Sequence, residues 1–354
     1  MGWRPVDRLR LGIGERVDKT FARVAFKERR TDRATARDPD LIERLERLSA
    51  FYDDADAAGR LFPAPPEIAP RTDQVKEGRA VEVLDLSWPT PYTPLHADYA
   101  EALARCPETR QARARWFRRP PPSPAILCLH GWGGGQYAIE ERAFPTRWLN
   151  QIGFDVVLPV TPFHALRRGR QAGMPAFPSP DPVRSNEGFA QAILELRSLI
   201  RMLRRRGAPH VGVMGMSLGG FTSALLATVE PELDFCVPMI PFASLPVMMW
   251  SKGEQRPARR AAVESGLTLE VYSRPFKATT PLERALKIDP ARVLIAAGER
   301  DVITPSQYAQ DLHRHFAGSA MVTFPGSHLI QIGRREVFVA LARMTAGLGI
   351  LPPR

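Results

Sequence analysis

His210-Val211-Gly212-Val213-Met214-Gly215-Met216-Ser217-Leu218-Gly219 runs directly into Gly220-Phe221-Thr222-Ser223-Ala224-Leu225-Leu226-Ala227. The first five residues are short, apolar and β-prone, and the last run suits a buried helix. Between them lies Gly215-Met216-Ser217-Leu218-Gly219, a G-x-S-x-G pattern. A serine on a sharp strand-to-helix turn is lifted above the sheet on strained backbone. Small residues two before and two after it let neighbouring backbone pass close by. The pattern alone occurs by chance in Gly-rich loops, so the segments around it decide its meaning.

Outward from this turn, strand-like and helix-like segments alternate. Ala125-Ile126-Leu127-Cys128-Leu129 is wholly apolar, as in a strand buried on both faces. Arg142 to Ile152 predicts a helix, Asp155 to Val160 a strand, and Phe189 to Leu203 an amphipathic helix. Leu233 to Met239, Arg292 to Ala297 and Ala320 to Phe324 predict further strands, with helices over Ser306–Phe316 and Arg335–Met344. Val81 to Leu86 and Ala114 to Phe117 predict strands ahead of this block. Strands alternating with helices imply a mostly parallel central sheet covered on both faces.

Two stretches break the pattern. Residues 1–78 read as an N-terminal helical extension: a basic arm over Arg16–Arg37, expected to be solvated, a helix beginning at Pro39-Asp40-Leu41 with Asp40 as its cap, and a Pro-rich linker over Pro63–Pro70. The alternating α/β block is then 79–354. Within it, 242–288 loses the alternation and reads as a cap or lid insertion. It opens with an apolar run, Phe242 to Trp250, that suits either an acyl-binding pocket or ordinary core.

Composition narrows the function classes. The 354 residues are 44% hydrophobic and 25% charged, ordinary for a globular chain. The formal charge of +11 comes from 49 Lys and Arg, only six of them Lys, against 38 Asp and Glu. No zinc-finger spacing, RNP-like strand or basic-aromatic stripe accompanies that charge, so no nucleic-acid partner is expected. The basic N-terminal arm is the segment suited to peripheral contact with a membrane. Cys106, Cys128 and Cys236 are too few and too widely spaced for a disulfide framework. With no apolar secretory segment in the first thirty residues, a cytoplasmic location is the default. The uncharged stretch Gly207–Val229 is long enough to span a bilayer, but its glycines and strand-then-helix pattern favour a buried turn.

Three segments supply partners for Ser217. His130-Gly131-Trp132-Gly133-Gly134-Gly135 follows the buried strand and exposes backbone N–H groups, as an oxyanion site needs. The natural donor pair is Trp132 N–H and Leu218 N–H. Asp301, in Gly298-Glu299-Arg300-Asp301, lies just past a strand end and is favoured over Glu299 to orient a base. Of seven histidines, His328 in Gly326-Ser327-His328 stands between the last strand and the last helix. His130 is expected to brace its loop, His313 and His315 to lie on the surface, and His210 to begin a strand. Arg167 or Arg168, after a strand end, is expected to bind an anionic substrate group, and Trp250 to line the substrate site.

The order Ser217, Asp301, His328, with a strand-HG turn upstream, resembles the α/β-hydrolase superfamily from about residue 80 to the C-terminus. Within it, the layout is distantly similar to the alpha/beta-hydrolase domain-containing 18 group. The resemblance implies an α/β-hydrolase fold, a Ser nucleophile, a His general base, an Asp holding the imidazole and a two-amide oxyanion hole. Where many esterases of this fold carry HGGG, this chain carries HGWGGG. The expected activity is hydrolysis of carboxylic esters, with a small-molecule ester or lipid as substrate and no cofactor or metal. A peptidase or amidase, an acyltransferase, and a non-catalytic binding protein on the same fold are the alternatives.

Overall fold

In the computed structural model, residues 5–25, 38–78, 80–170, 173–254 and 256–352 are described. The chain opens with two helices, α1 (Pro5–Ala25) and α2 (Leu41–Ala57), followed by strands β1 (Arg71–Lys76) and β2 (Glu82–Pro89). Next come α3 (Ala97–Arg105), β3 (Gln111–Arg118) and β4 (Ala125–Leu129). Then follow α4 (Tyr137–Ala143), α5 (Thr146–Ile152), β5 (Asp155–Val160), α6 (Pro182–Arg205), β6 (Val211–Met216) and α7 (Leu218–Ala227). β7 (Phe235–Met239) leads into three short helices, α8 (Leu245–Lys252), α9 (Pro257–Glu264) and α10 (Leu269–Ser273). The chain ends with β8 (Leu294–Gly298), α11 (Ser306–His315), β9 (Ala320–Phe324) and α12 (Arg335–Gly347).

Among the described residues the strands form one nine-stranded sheet in the order β1-β2-β3-β5-β4-β6-β7-β8-β9. From β5 across to β9 all neighbours are parallel, while β1, β2 and β3 join by antiparallel pairing. This is the expected α/β architecture with a mostly parallel sheet. β1 is an edge: every one of its residues is exposed, and its register with β2 shifts between Gln74 and Lys76.

Alternate side chains of each central strand enter opposite cores, because successive Cβ atoms point to opposite faces. Ala125, Leu127 and Leu129 of β4 join one cluster with α6 and α7 residues such as Phe189, Leu199 and Phe221. Ile126 and Cys128 join the other, with Leu149 of α5 and Val337 and Leu341 of α12. Each fully buried large apolar side chain in these layers contributes about 1.5–3 kcal/mol. Within the uncharged stretch 207–229, β6 and α7 are buried throughout, with the turn at Ser217 between them. Among the described residues no helix is long and apolar enough to cross a membrane.

Three local expectations need correction. The helix predicted over Arg142–Ile152 is two helices, α4 and α5, because Pro145 removes an N–H and its ring pushes Phe144 into extended backbone (φ −98°, ψ 120°). Asp40 precedes α2 but its side chain makes no capping bond there. The basic arm is helical as far as Ala25, and its Asp18 is fully buried; residues 26–37 of that arm lie outside the described residues. Between β7 and β8, where a cap was expected, α8 to α10 pack toward α2 through Leu45, Ala262 and Leu267.

Candidate active site

Ser217, Asp301 and His328 all lie past the C-terminal ends of parallel strands, and several residues at these ends have strained backbone. Phe163, Ala165, Ser217 and Ile240 all have positive φ without being glycine, and all follow β5, β6 or β7. Such conformations persist only where surrounding structure enforces them. Ser217 sits at φ 56°, ψ −111°, between the last residue of β6 and the first of α7, and its N–H donates to Met239 O at 2.9 Å.

The two flanking glycines are needed for close approach. A Cβ at Gly215 would lie 2.1 Å from Gly219 O, and one at Gly219 would lie 2.0 Å from Leu129 O. The turn is therefore wedged against the end of β4, where the His130–Gly135 segment begins. A Cβ on Gly131 would come 3.6 Å from Ser217 Cβ, which puts this Gly-rich turn beside the serine.

His130 braces that turn, as expected. Its Nδ1–H donates to Gly131 O at 2.8 Å, and its Nε2 accepts from Thr161 N–H at 3.1 Å. Both ring nitrogens are thus used by a neutral imidazole, and burial pushes its pKa down to about 4. His164 packs 5.0 Å away, centroid to centroid, and burial drives it well below the ordinary histidine value too. With both nitrogens occupied, the His130 ring has none free to take a proton. Glu140, which sequence reasoning missed, accepts the Gly135 N–H at 2.8 Å from the first turn of α4.

Asp301 and His328 come together from loops after β8 and β9. His328 Nδ1–H donates to Asp301 Oδ2 at 2.7 Å. Asp301 Oδ1 accepts from Ile303 N–H at 2.9 Å and Thr304 N–H at 2.7 Å. The Thr304 hydroxyl lies 2.9 Å from Asp301 Oδ2, 3.0 Å from His328 Nδ1 and 3.0 Å from Ile240 O. Both the carboxylate and the imidazole are buried. Glu299, the rival acid, instead accepts from the exposed Thr323 hydroxyl at 3.2 Å. Gln331 links the histidine loop to the serine turn: its Nε2 donates to His328 O at 3.0 Å and lies 3.6 Å from Met216 Sδ.

The substrate residues fare differently. Arg167 was expected to meet an anionic group, but it is fully buried and faces inward. Its guanidinium binds Glu195 of α6, Val160 O and Thr109 O. A guanidinium withdrawn from water requires such a set of acceptors; they take up both Nη groups, and the Nε–H, without a partner, is buried as well. Arg168 beside it is half-buried. Trp250 packs among α8 to α10, under Arg259 at 4.4 Å and beside Tyr272 at 6.0 Å. It belongs to the cluster that holds these helices to α2. His313 and His315 lie on α11, bonded to Ser319 and Arg284 O, and His210 pairs with Asp234 ahead of β6.

Comparison with known proteins bears on the fold and the family. Two curated proteins of Mycobacterium tuberculosis, both uncharacterized, are 28% identical to this chain over 239 residues, 66% of it. The chain spans about half the length of these relatives, 56% of each. Among solved structures, an acetyl xylan esterase from Paenibacillus sp. R4 superposes with a TM-score of 0.60 at 15% identity, over 84% of this chain and 93% of that one. Acetyl xylan esterase 1 from Thermoanaerobacterium sp. JW/SL YS485 does so with a TM-score of 0.54 at 16% identity and the same coverage. At such identities the likeness establishes the α/β-hydrolase fold. The model of the family described as serine hydrolase (FSH1) matches residues 121–335, a span that includes Ser217, Asp301 and His328. That match covers more than half of the chain, and the chain belongs to this serine hydrolase family.

Proposed function

We propose that the protein cleaves carboxylic esters through an acyl-enzyme on Ser217. The observation that carries the reading is the buried 2.7 Å bond from His328 Nδ1 to Asp301 Oδ2. It assigns the tautomer: with the proton on Nδ1, Nε2 is the basic nitrogen. His328 Nε2 takes the Ser217 Oγ proton as Oγ attacks the ester carbonyl carbon. The Trp132 and Leu218 backbone N–H groups hold the resulting oxyanion; Leu218 N–H is at the N-terminus of α7, where the helix leaves such donors without an intrahelical acceptor. Collapse expels the alcohol, protonated by His328. Water activated by the same imidazole then releases the acid. Of the two arginines expected to meet an anionic substrate group, Arg168 keeps that role in this proposal.

The test uses a short-chain p-nitrophenyl ester and a fluorophosphonate probe. Turnover and labelling are expected in the native protein, and both vanish in Ser217→Ala. Native protein that neither turns over the ester nor takes the probe refutes the reading.

A further inference from the structure

The loop that carries His328 runs from β9 to α12 without strand or helix pairing of its own around residues 327–329. Two consecutive backbone donors there, His328 N–H and Leu329 N–H, need acceptors if the loop is to hold one conformation. Both are supplied by a single carboxylate from 310 residues upstream: Asp18 Oδ2 accepts from His328 N–H at 2.8 Å, and Asp18 Oδ1 accepts from Leu329 N–H at 3.0 Å. Asp18 is fully buried, so water does not compete for these charge-assisted bonds.

The rest of α1 is shaped for the same contact. One turn earlier, Gly14 lies so close to the loop that a Cβ there would come 2.8 Å from Ser327 Oγ and 3.2 Å from Ser327 Cβ. Glu15 pairs with Arg300 at 3.2 Å, next to Asp301, and Arg300 N–H donates to Gly326 O at 3.2 Å. On the other side, Lys252 of α8 donates to Val302 O at 2.6 Å and feels the charges of both Asp301 and Asp18. α1 therefore touches the base loop through Asp18 and Gly14, and the acid loop through Glu15.

We infer that Asp18 is a positioning residue for His328: by accepting the N–H groups of residues 328 and 329, α1 fixes the backbone from which the imidazole reaches Ser217. The inference rests on the esterase reading of the Ser217 site. It makes the N-terminal helix part of the catalytic unit, where the sequence suggested an appendage ending near residue 78. Asp301 sets the ring from its Nδ1 side, and Asp18 sets the main chain behind it.

The experiment compares full-length wild type with Asp18→Ala, Asp18→Asn and Gly14→Val. Asp18→Ala is expected to lower kcat for p-nitrophenyl acetate about 100-fold with KM within about twofold, the cost of a base displaced by about 1 Å. Asp18→Asn keeps one acceptor oxygen and should recover about tenfold of that loss, and it serves as the test variant if Asp18→Ala does not fold. Gly14→Val lifts the helix while keeping the carboxylate, and should lose kcat in the same way. Proton NMR of histidine-labelled protein reads the imidazole directly. A low-field His328 Nδ1–H signal is expected in wild type and should broaden or vanish in Asp18→Ala. Unchanged kcat, a rise in KM alone, or an unchanged Nδ1–H signal in folded Asp18 variants overturns the inference. Wild type that fails to label or turn over counts against the esterase reading alone, because the proton signal still reports the position of His328.

Discussion

Arg167 and Glu195 meet through two parallel contacts, Nη1 to Oε2 at 2.6 Å and Nη2 to Oε1 at 2.7 Å, in a site that buries both side chains. The pair ties the segment after β5 to the middle of α6. Removing one partner strands the other charge away from water, which costs about 3–5 kcal/mol. Arg167→Met is therefore expected to lower unfolding free energy by that amount in urea titration. It should leave the ratio of KM values for anionic and neutral esters unchanged. A variant of native stability with a shifted KM ratio would mean that Arg167 contacts substrate after all.

The Asp301 loop predicts a graded series. Asp301→Asn removes the acceptor that selects the His328 tautomer, and kcat should fall on the order of 10⁴-fold. Thr304→Val deletes one donor near Asp301 Oδ2 and Ile240 O while keeping the Thr304 N–H bond, so a loss of about tenfold is expected. Glu299→Gln should retain native kcat. Steady-state kinetics on the three variants checks the order, and a larger loss in Glu299→Gln than in Asp301→Asn contradicts the assignment.

Crowding at the serine turn makes a stability prediction. Gly219→Ala would put its methyl carbon 2.0 Å from Leu129 O, a backbone atom that moves only with β4 itself. The expected destabilisation is about 3 kcal/mol or more. Thermal melting of Gly219→Ala against Ser217→Ala separates this from chemistry: the serine variant should lose activity and keep its melting temperature.

His130 predicts a pH dependence of stability. Its folded pKa of about 4 lies below the unfolded value of about 6.5, so the unfolded chain binds the proton first. The stability contributed by the neutral ring is complete above pH 6.5 and is lost as pH falls toward 4, by about 3 kcal/mol in total. Asp155 works the other way: burial raises it to about 6, so its contribution is lost as pH rises through that value. The comparison must therefore be between proteins. His130→Asn, which keeps an acceptor and a donor, should show a flatter fall in unfolding free energy between pH 6.5 and 4 than wild type. Parallel curves would mean that His130 is charged in the folded protein.

What was legible in the sequence is what folding keeps local. Ser217, Asp301, His328 and the His130–Gly135 turn each follow a recognisable strand, so their neighbours in the chain announce them. Asp18 carries no such sign, because its bonds are made across 310 residues and an isolated Asp in a basic helix reads as surface charge. Glu140 was hidden for a similar reason: its partner, Gly135 N–H, is defined only once the turn folds back. Arg167 misled because a charged residue after a strand end is ordinarily exposed, and nothing in its own segment signals that Glu195 waits inside. Pro145 was legible and under-read; its effect on Phe144 follows from covalent geometry alone.

The outer strand β1 has a bearing on how copies of this protein behave toward one another. An open sheet offers its unpaired backbone groups to any passing strand, and a long flat apolar edge invites fusion into larger aggregates. Here the edge reads Arg71-Thr72-Asp73-Gln74-Val75-Lys76, charged and exposed, with its pairing to β2 kinked between Gln74 and Lys76. Docking a second sheet there would pull Arg71, Asp73 and Lys76 out of water and would meet a ribbon that is no longer straight. Charge and a kinked register at the border of the sheet thus disfavour its pairing with the edge of another copy.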